Sequence, residues 1–131
     1  MLIRVYYEDT DCGNVVYYAN YLRFMERSRT ELLRERGIDL GRYHDRGILF
    51  VVTEAHVTYR APAVYNDLLA VDSTIAGLSA ASILFRTVIH RDGDDALLVN
   101  GEVRVACISG ARRPMRIPEE IKTALQAIVI Q

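Results

Sequence analysis

The chain of 131 residues has one lysine, Lys122, beside fifteen arginines, so almost all of its positive charge is carried by guanidinium groups. Schiff-base and P-loop chemistry, which need an interior lysine, are excluded unless Lys122 supplies it. Cysteine is equally scarce. Cys12 and Cys107 lie far apart and match no metal-ligand spacing, so both are expected to be free thiols. No run of eighteen apolar residues is present, which argues against a transmembrane helix. The opening residues lack the basic and apolar regions of a secretion signal, so a cytoplasmic location is expected. A formal net charge of −1 and a pI near 6.3 remove the electrostatic footprint of a nucleic-acid binder. Half of the residues are hydrophobic and 25% are charged, a balance that supports a packed core. The length fits a single domain over 1–131, without repeats, linkers or low-complexity segments.

Periodicity predicts an α+β fold. Ile3 to Tyr7 suits a short strand that stops at the acidic run beginning with Glu8. From Asn20, a good N-cap candidate, Leu22, Met25, Ser28, Arg29, Leu32 and Arg36 recur at helical spacing, predicting a long helix over about 20–36 that Gly37 stops. A polar connection follows over 39–47, and then the period changes to two. Leu49, Val51, Thr53, Ala55, Val57 and Tyr59 form one face of the next strand. The sets Leu69 to Ile75 and Ile83 to Ile89 repeat the alternation, and Arg91-Asp92-Gly93-Asp94 signals a hairpin. Leu97, Val99, Gly101, Val103, Val105 and Cys107 face one way in the last strand. A short helix is expected from Pro118 to about 128. About five antiparallel strands with one long helix across their apolar face satisfy this pattern. The opposite face is mixed, with Leu68, Ala70, Leu84, Val88 and Leu98 among charges, and reads as a subunit contact.

The densest group of reactive side chains is Glu8, Asp9 and Asp11, directly after the first strand. Carboxylates so close raise one another's pKa, which suits a general base or a nucleophile, although a solvated acidic turn has the same spacing. A calcium loop is excluded, because its fifth, sixth and twelfth positions hold Gly13, Asn14 and Asn20. An aspartyl-phosphate phosphatase fails on the antiparallel context and the missing lysine. The run from Gly13 to Asn20 leads straight onto the long helix, so backbone N–H groups near Tyr18 lie beside the positive end of its dipole. That is a ready oxyanion site within a few residues of a carboxylate. Cys12 offers a rival nucleophile but reads better as a turn residue, since no His is near in sequence. His44, His56 and His90 make no metal set. Tyr6, Tyr7, Tyr17, Tyr18 and Tyr21 cluster at the strand-helix junction, either as core or as the lining of an acyl pocket.

Residues 4–34, with Asp9-Thr10-Asp11 through Asn20-Tyr21 as the specific stretch, resemble the signature of the hydroxybenzoyl-CoA thioesterase family. Within it the similarity is to the Tol-Pal-associated acyl-CoA thioesterases, and it continues weakly through Val57 to Ala63 and the last strand. The resemblance implies a hotdog fold, a homodimer or homotetramer with sites between subunits, and hydrolysis of short- or medium-chain acyl-CoA without a cofactor or metal. It also implies Asp11 as nucleophile or general base and the backbone N–H of Tyr18 as the carbonyl-polarising group, with Gly13, Val16, Tyr17, Asn20 and Arg60 as substrate contacts. Many relatives of this kind have histidine at the position of Tyr18, so a histidine-assisted mechanism is ruled out here. Relatives also place a basic residue on the turn between the middle strands, where this chain has Gly77 to Ala81 without charge. Arg60, Arg86, Arg112 and Arg113 are then the alternative phosphate partners, and acyl carrier protein becomes a second candidate acyl donor. Two rivals stand beside this reading: a non-catalytic hotdog module that binds an acyl thioester or a carrier protein, and a hotdog dehydratase, which would want a His paired with an acid.

Overall fold

The computed structural model describes residues 1–130. Five strands, β1 (Leu2–Arg4), β2 (Ile48–Tyr59), β3 (Leu68–Leu78), β4 (Ser82–Arg91) and β5 (Leu97–Ser109), form one antiparallel sheet. Their order is β1-β3-β4-β5-β2, which leaves β1 and β2 at the edges. The long helix α1 (Asn20–Glu35) packs on β3 and β4, while α2 (Leu40–Asp45) adjoins β2 and α3 (Glu119–Gln126) adjoins β3. The expected α+β arrangement is therefore present, including the helix after Pro118.

Helix α1 presents Tyr21, Phe24, Met25, Ser28 and Leu33 to the sheet. This stripe is rotated from the expected one, and Leu22 remains 40% exposed. The aromatic side chains at 21 and 24 decide the rotation, because they carry the larger apolar area. The N-cap position is Ala19, not Asn20, and no side chain caps the helix. The Asn20 amide instead donates to the Asp9 carbonyl at 2.9 Å, which ties the helix start to the acidic loop.

Strand β2 departs from simple alternation. Its register against β5 shifts between Val52 and Glu54, leaving Thr53 as an extra residue. Phe50 therefore pairs with buried Cys107, and Val57 with Gly101 beyond the bulge. The expected odd-numbered face holds for Ala55, Val57 and Tyr59 but fails for Leu49, Val51 and Thr53, since one inserted residue reverses the parity. Leu98 likewise leaves the mixed outer face: a shift beside Ile89 and His90 puts it in the core with no exposure. The expected polar connection contains α2, whose start is held by the Asp39 carboxylate accepting from the Gly41 N–H at 2.9 Å. Six residues are too few to show a helical period. Strand β1 is shorter than expected, because the Asp9 carboxylate accepts the Tyr6 N–H at 2.8 Å and draws Tyr7–Asp9 into a 3₁₀ turn.

The core divides into two clusters. One gathers Val5, Val16, Tyr21, Phe24, Met25, Ala63 and Leu98 around the start of α1. The other gathers Leu33, Ile75, Phe85, Val105, Cys107, Ile121 and Leu125 beneath the far end and α3. Gly101 lets α1 approach the sheet, as a Cβ there would lie 2.9 Å from the Met25 Cε.

Candidate active site

The chain between β1 and α1 folds back on itself. Thr10 and Val16 form an antiparallel bridge, and Asp11 and Val15 close it with an N–H···O bond of 3.0 Å. Asp11 therefore sits near the tip, exposed, with its Oδ1 accepting the Gly13 N–H at 2.8 Å. Among the described residues its Oδ2 has no partner. A Cβ at Gly13 would stand 3.2 Å from Asp11 Oδ1, so a side chain there would crowd the carboxylate. Asn14 makes the turn with φ of 62°, a conformation that asparagine tolerates better than most residues.

The same loop delivers Tyr17 and Tyr18 to the start of α1. The Asp9 carbonyl accepts both the Tyr17 N–H and the Asn20 amide at 2.9 Å. Asp9 and Asp11 each bind one backbone N–H through the carboxylate, Asp9 that of Tyr6 and Asp11 that of Gly13, and they differ in place: Asp9 is half-buried beside the helix start, whereas Asp11 is exposed near the loop tip. Among the described residues the Tyr18 N–H meets no acceptor, while its carbonyl accepts the Tyr59 hydroxyl at 3.1 Å.

Beside this junction lies a cleft of about 280 Å³ lined by Val16, Tyr18, Tyr21, Tyr59, Arg60, Ala61 and Pro62. Val16, Tyr18 and Arg60, singled out from the sequence, are thus brought together on its wall. Asp11, Gly13, Tyr17 and Asn20 lie outside the lining: Asp11 stays near the loop tip, Gly13 holds it, Tyr17 packs on Tyr18 with centroids 4.9 Å apart, and Asn20 ties the helix start. Of the four arginines considered for phosphate, Arg86 is paired with Glu102 at 3.0 Å on the sheet, and only Arg60 borders the cleft. The Arg60 Nε donates to Asn100 Oδ1 at 3.1 Å.

Several contacts of the site carried no sequence signal. The Val16 N–H donates to the Ala63 carbonyl at 2.9 Å, and the Ala63 N–H donates to the Tyr21 hydroxyl at 3.1 Å. Burial raises the Tyr21 phenol above its ordinary pKa, with the Ala63 bond acting in the opposite direction. Burial also raises Tyr59, helped by Tyr18 nearby. Both phenols therefore keep their protons near neutral pH. The loop after Pro62 is fastened by Arg91, whose Nε meets Asp67 at 3.1 Å and whose Nη2 donates to the Pro62 carbonyl at 3.0 Å. These contacts join residues about forty positions apart or within the 60–91 segment, and a hairpin signal alone does not reveal them.

Cys12 is exposed and Cys107 buried. Among the described residues no cluster of three His, Cys, Asp or Glu side chains is arranged to hold a metal ion. Among the described residues no helix is long and apolar enough to cross a membrane.

Residues 5–125 match the thioesterase-like superfamily. The acyl-CoA thioesterase YbgC of Haemophilus influenzae is 39% identical over 124 residues, covering 93% of this chain and 90% of that protein. The acyl-CoA thioester hydrolase YbgC of Escherichia coli O6:H1 is 38% identical, over 91% of this chain and 89% of that one. Among solved structures, a hypothetical protein from Thermus thermophilus superposes with a TM-score of 0.91 at 36% identity, covering 98% of this chain and 97% of that chain. A 1,4-dihydroxy-2-naphthoyl-CoA thioesterase from Synechocystis gives a TM-score of 0.90 at 25% identity, over 96% and 93% respectively. With a helix-crossed antiparallel sheet that superposes on such enzymes, and with a match that runs through both loop and cleft, the chain belongs to the thioesterase-like superfamily and is a hotdog-fold thioesterase.

Proposed function

We propose that the protein hydrolyses the thioester of short- or medium-chain acyl-CoA to a carboxylic acid and CoA, with Asp11 and the Tyr18 peptide as the acting groups. The observation that carries this reading is the Thr10–Val16 bridge, which connects the loop tip bearing Asp11 to a residue of the cleft wall. The open Oδ2 of Asp11 attacks the thioester carbonyl carbon, expelling CoA thiolate and leaving an anhydride for water to cleave, or it takes a proton from water as that water attacks. In both routes negative charge develops on the carbonyl oxygen, and the unpaired Tyr18 N–H near the positive end of α1 stabilises it. Arg60 serves the anionic CoA portion from the cleft edge. Acyl carrier protein is the other acyl donor compatible with an uncharged turn at Ser79 to Ala81. The relatives named YbgC support the choice of acyl-CoA.

Asp11 is solvent-exposed in the single chain. A second copy joined along the free edge of β2 would shield it and complete the site in a homodimer, the unit of a homotetramer. A cytoplasmic location accords with a CoA substrate. The test is thiol release from acyl-CoAs of increasing chain length, for wild type and Asp11→Asn, with the mass of each determined by sedimentation. Asp11→Asn keeps the size of the side chain and removes its charge, so turnover falls by at least about a hundredfold while the melting temperature holds. Unchanged turnover in the folded variant would sink the assignment of Asp11, and a monomeric mass for the active enzyme would sink the shared site.

A further inference from the structure

We infer that Tyr59 is a positioning residue for the carbonyl-polarising peptides at the start of α1; this rests on the function proposed above and adds a residue to it. Helix α1 begins without a side-chain cap, because its N-cap position is Ala19. Within the turn the Asn20 N–H donates to the Tyr17 carbonyl at 2.8 Å, which holds the peptide bearing the Tyr18 N–H, and the next peptide is steadied from outside. The Tyr59 hydroxyl donates to the Tyr18 carbonyl at 3.1 Å from the end of β2, forty-one residues away in sequence. That carbonyl shares a rigid peptide plane with the Ala19 N–H, and fixing one end fixes the direction of the other. Among the described residues neither the Tyr18 nor the Ala19 N–H meets an acceptor, so the plane held by Tyr59 adjoins both free donors.

The Tyr59 ring adds a second restraint. It meets Tyr18 edge-on at 6.2 Å and Tyr21 at 5.6 Å, and all three line the same cleft. The loop that follows Tyr59 is bound to the site by two further links, Val16 N–H to the Ala63 carbonyl at 2.9 Å and Ala63 N–H to the Tyr21 hydroxyl at 3.1 Å. The end of β2 is thus tied to the residues before and within the helix start by bonds to 16, 18 and 21. Of these, the Tyr59 bond alone reaches the peptide next to the free donors. A hydroxyl donating to a carbonyl also polarises the peptide and makes its N–H a better donor. Tyr59 touches the cleft, but its hydroxyl is already engaged by the carbonyl. Its chemical contribution is therefore indirect.

Tyr59→Phe removes the hydroxyl and keeps both ring contacts, so it separates positioning from packing. Loss of an oxyanion donor lowers kcat by about a hundredfold to a thousandfold, and loosening one is expected to lower it by about tenfold. KM should stay within about twofold and the melting temperature within about 2 °C, as the ring and the cleft wall remain. In the resting protein, the carbonyl ¹³C resonance of Tyr18 and the amide of Ala19 should move in the variant. A fall in kcat at constant KM, together with those shifts, supports the inference. Full kcat in Tyr59→Phe, beside an inactive Asp11→Asn, would overturn it and leave the proposed function standing. A raised KM at unchanged kcat would overturn it as well, making Tyr59 a wall of the cleft only. No turnover by wild type on any acyl-CoA would overturn the function itself, and the role of Tyr59 with it.

Discussion

Replacing Gly101 by alanine puts a methyl group where helix α1 rests on the sheet. Gly101 lies opposite Thr87 of β4 and Val57 of β2, and a Cβ there would stand 2.9 Å from Met25 Cε, 3.1 Å from its Sδ and 3.3 Å from the His56 carbonyl oxygen. A thioether ordinarily yields to such a neighbour. Met25 has no exposed surface, so it can yield only by moving its own neighbours, and the His56 backbone closes another side. Overpacking of this kind costs about 1–3 kcal/mol. Against it, alanine restricts the unfolded chain and returns about 0.4–1 kcal/mol. At mid-range the net loss is about 1.3 kcal/mol, which for a chain of 131 residues lowers the melting temperature by about 5 °C. Differential scanning calorimetry at a fixed protein concentration measures it. Met25→Ala supplies the check: it costs about 2–5 kcal/mol in the wild-type background, and at least about 1 kcal/mol less when Gly101→Ala is present, since the new methyl fills part of the cavity. A Gly101→Ala protein that melts at or above the wild-type temperature, or a Met25→Ala cost equal in both backgrounds, would refute the close approach as the reason for glycine.

Under α1 three hydroxyls form a chain: Ser28 donates to the Val71 carbonyl at 3.1 Å, Ser73 donates to Ser28 at 2.8 Å, and Thr87 meets Ser73 at 2.7 Å. Each hydroxyl has one proton, so Thr87 must be the donor to Ser73. Thr87→Val then removes a terminal donor and costs about 1 kcal/mol, whereas Ser28→Ala strands a proton and costs about 2 kcal/mol; equal costs by urea denaturation would reject that direction. Asp94 is held below the usual carboxylate range by the Ala96 N–H and then by Arg91. A lowered native pKa contributes stability above the unfolded value and loses it as pH falls through the native one. The gap in melting temperature between wild type and Asp94→Asn should be full near pH 5 and close in stronger acid, and a gap independent of pH would count against the contact.

The helix, the strands after Gly47 and the turn at Gly93 were legible because each is written in local periodicity or turn chemistry. The parity change in β2 was not. Nothing in Val52-Thr53-Glu54 announces an inserted residue, since the bulge exists only relative to β5. Asn20 was legible as a residue with a local bonding task, but its acceptor lies back in the acidic loop, so capping was the wrong task. At the site, Asp11 and Tyr18 stand out through the loop-to-helix pattern they share. Tyr59, Ala63 and Arg91 do not, because their roles arise from bonds that the sheet order creates between distant segments.

The division of the core bears on how such a chain adapts. The cluster containing Val16, Tyr21 and Ala63 forms the wall and support of the cleft, so substitutions there reshape what the cleft admits and weaken packing together. The cluster beneath α3, with Phe85, Ile121 and Leu125, has no member on that wall. Better packing in the second can offset losses in the first without altering the cleft, because residues that share no contacts contribute nearly additively. A lineage can therefore reshape the cleft at one end of the molecule while selection for foldedness acts on the other.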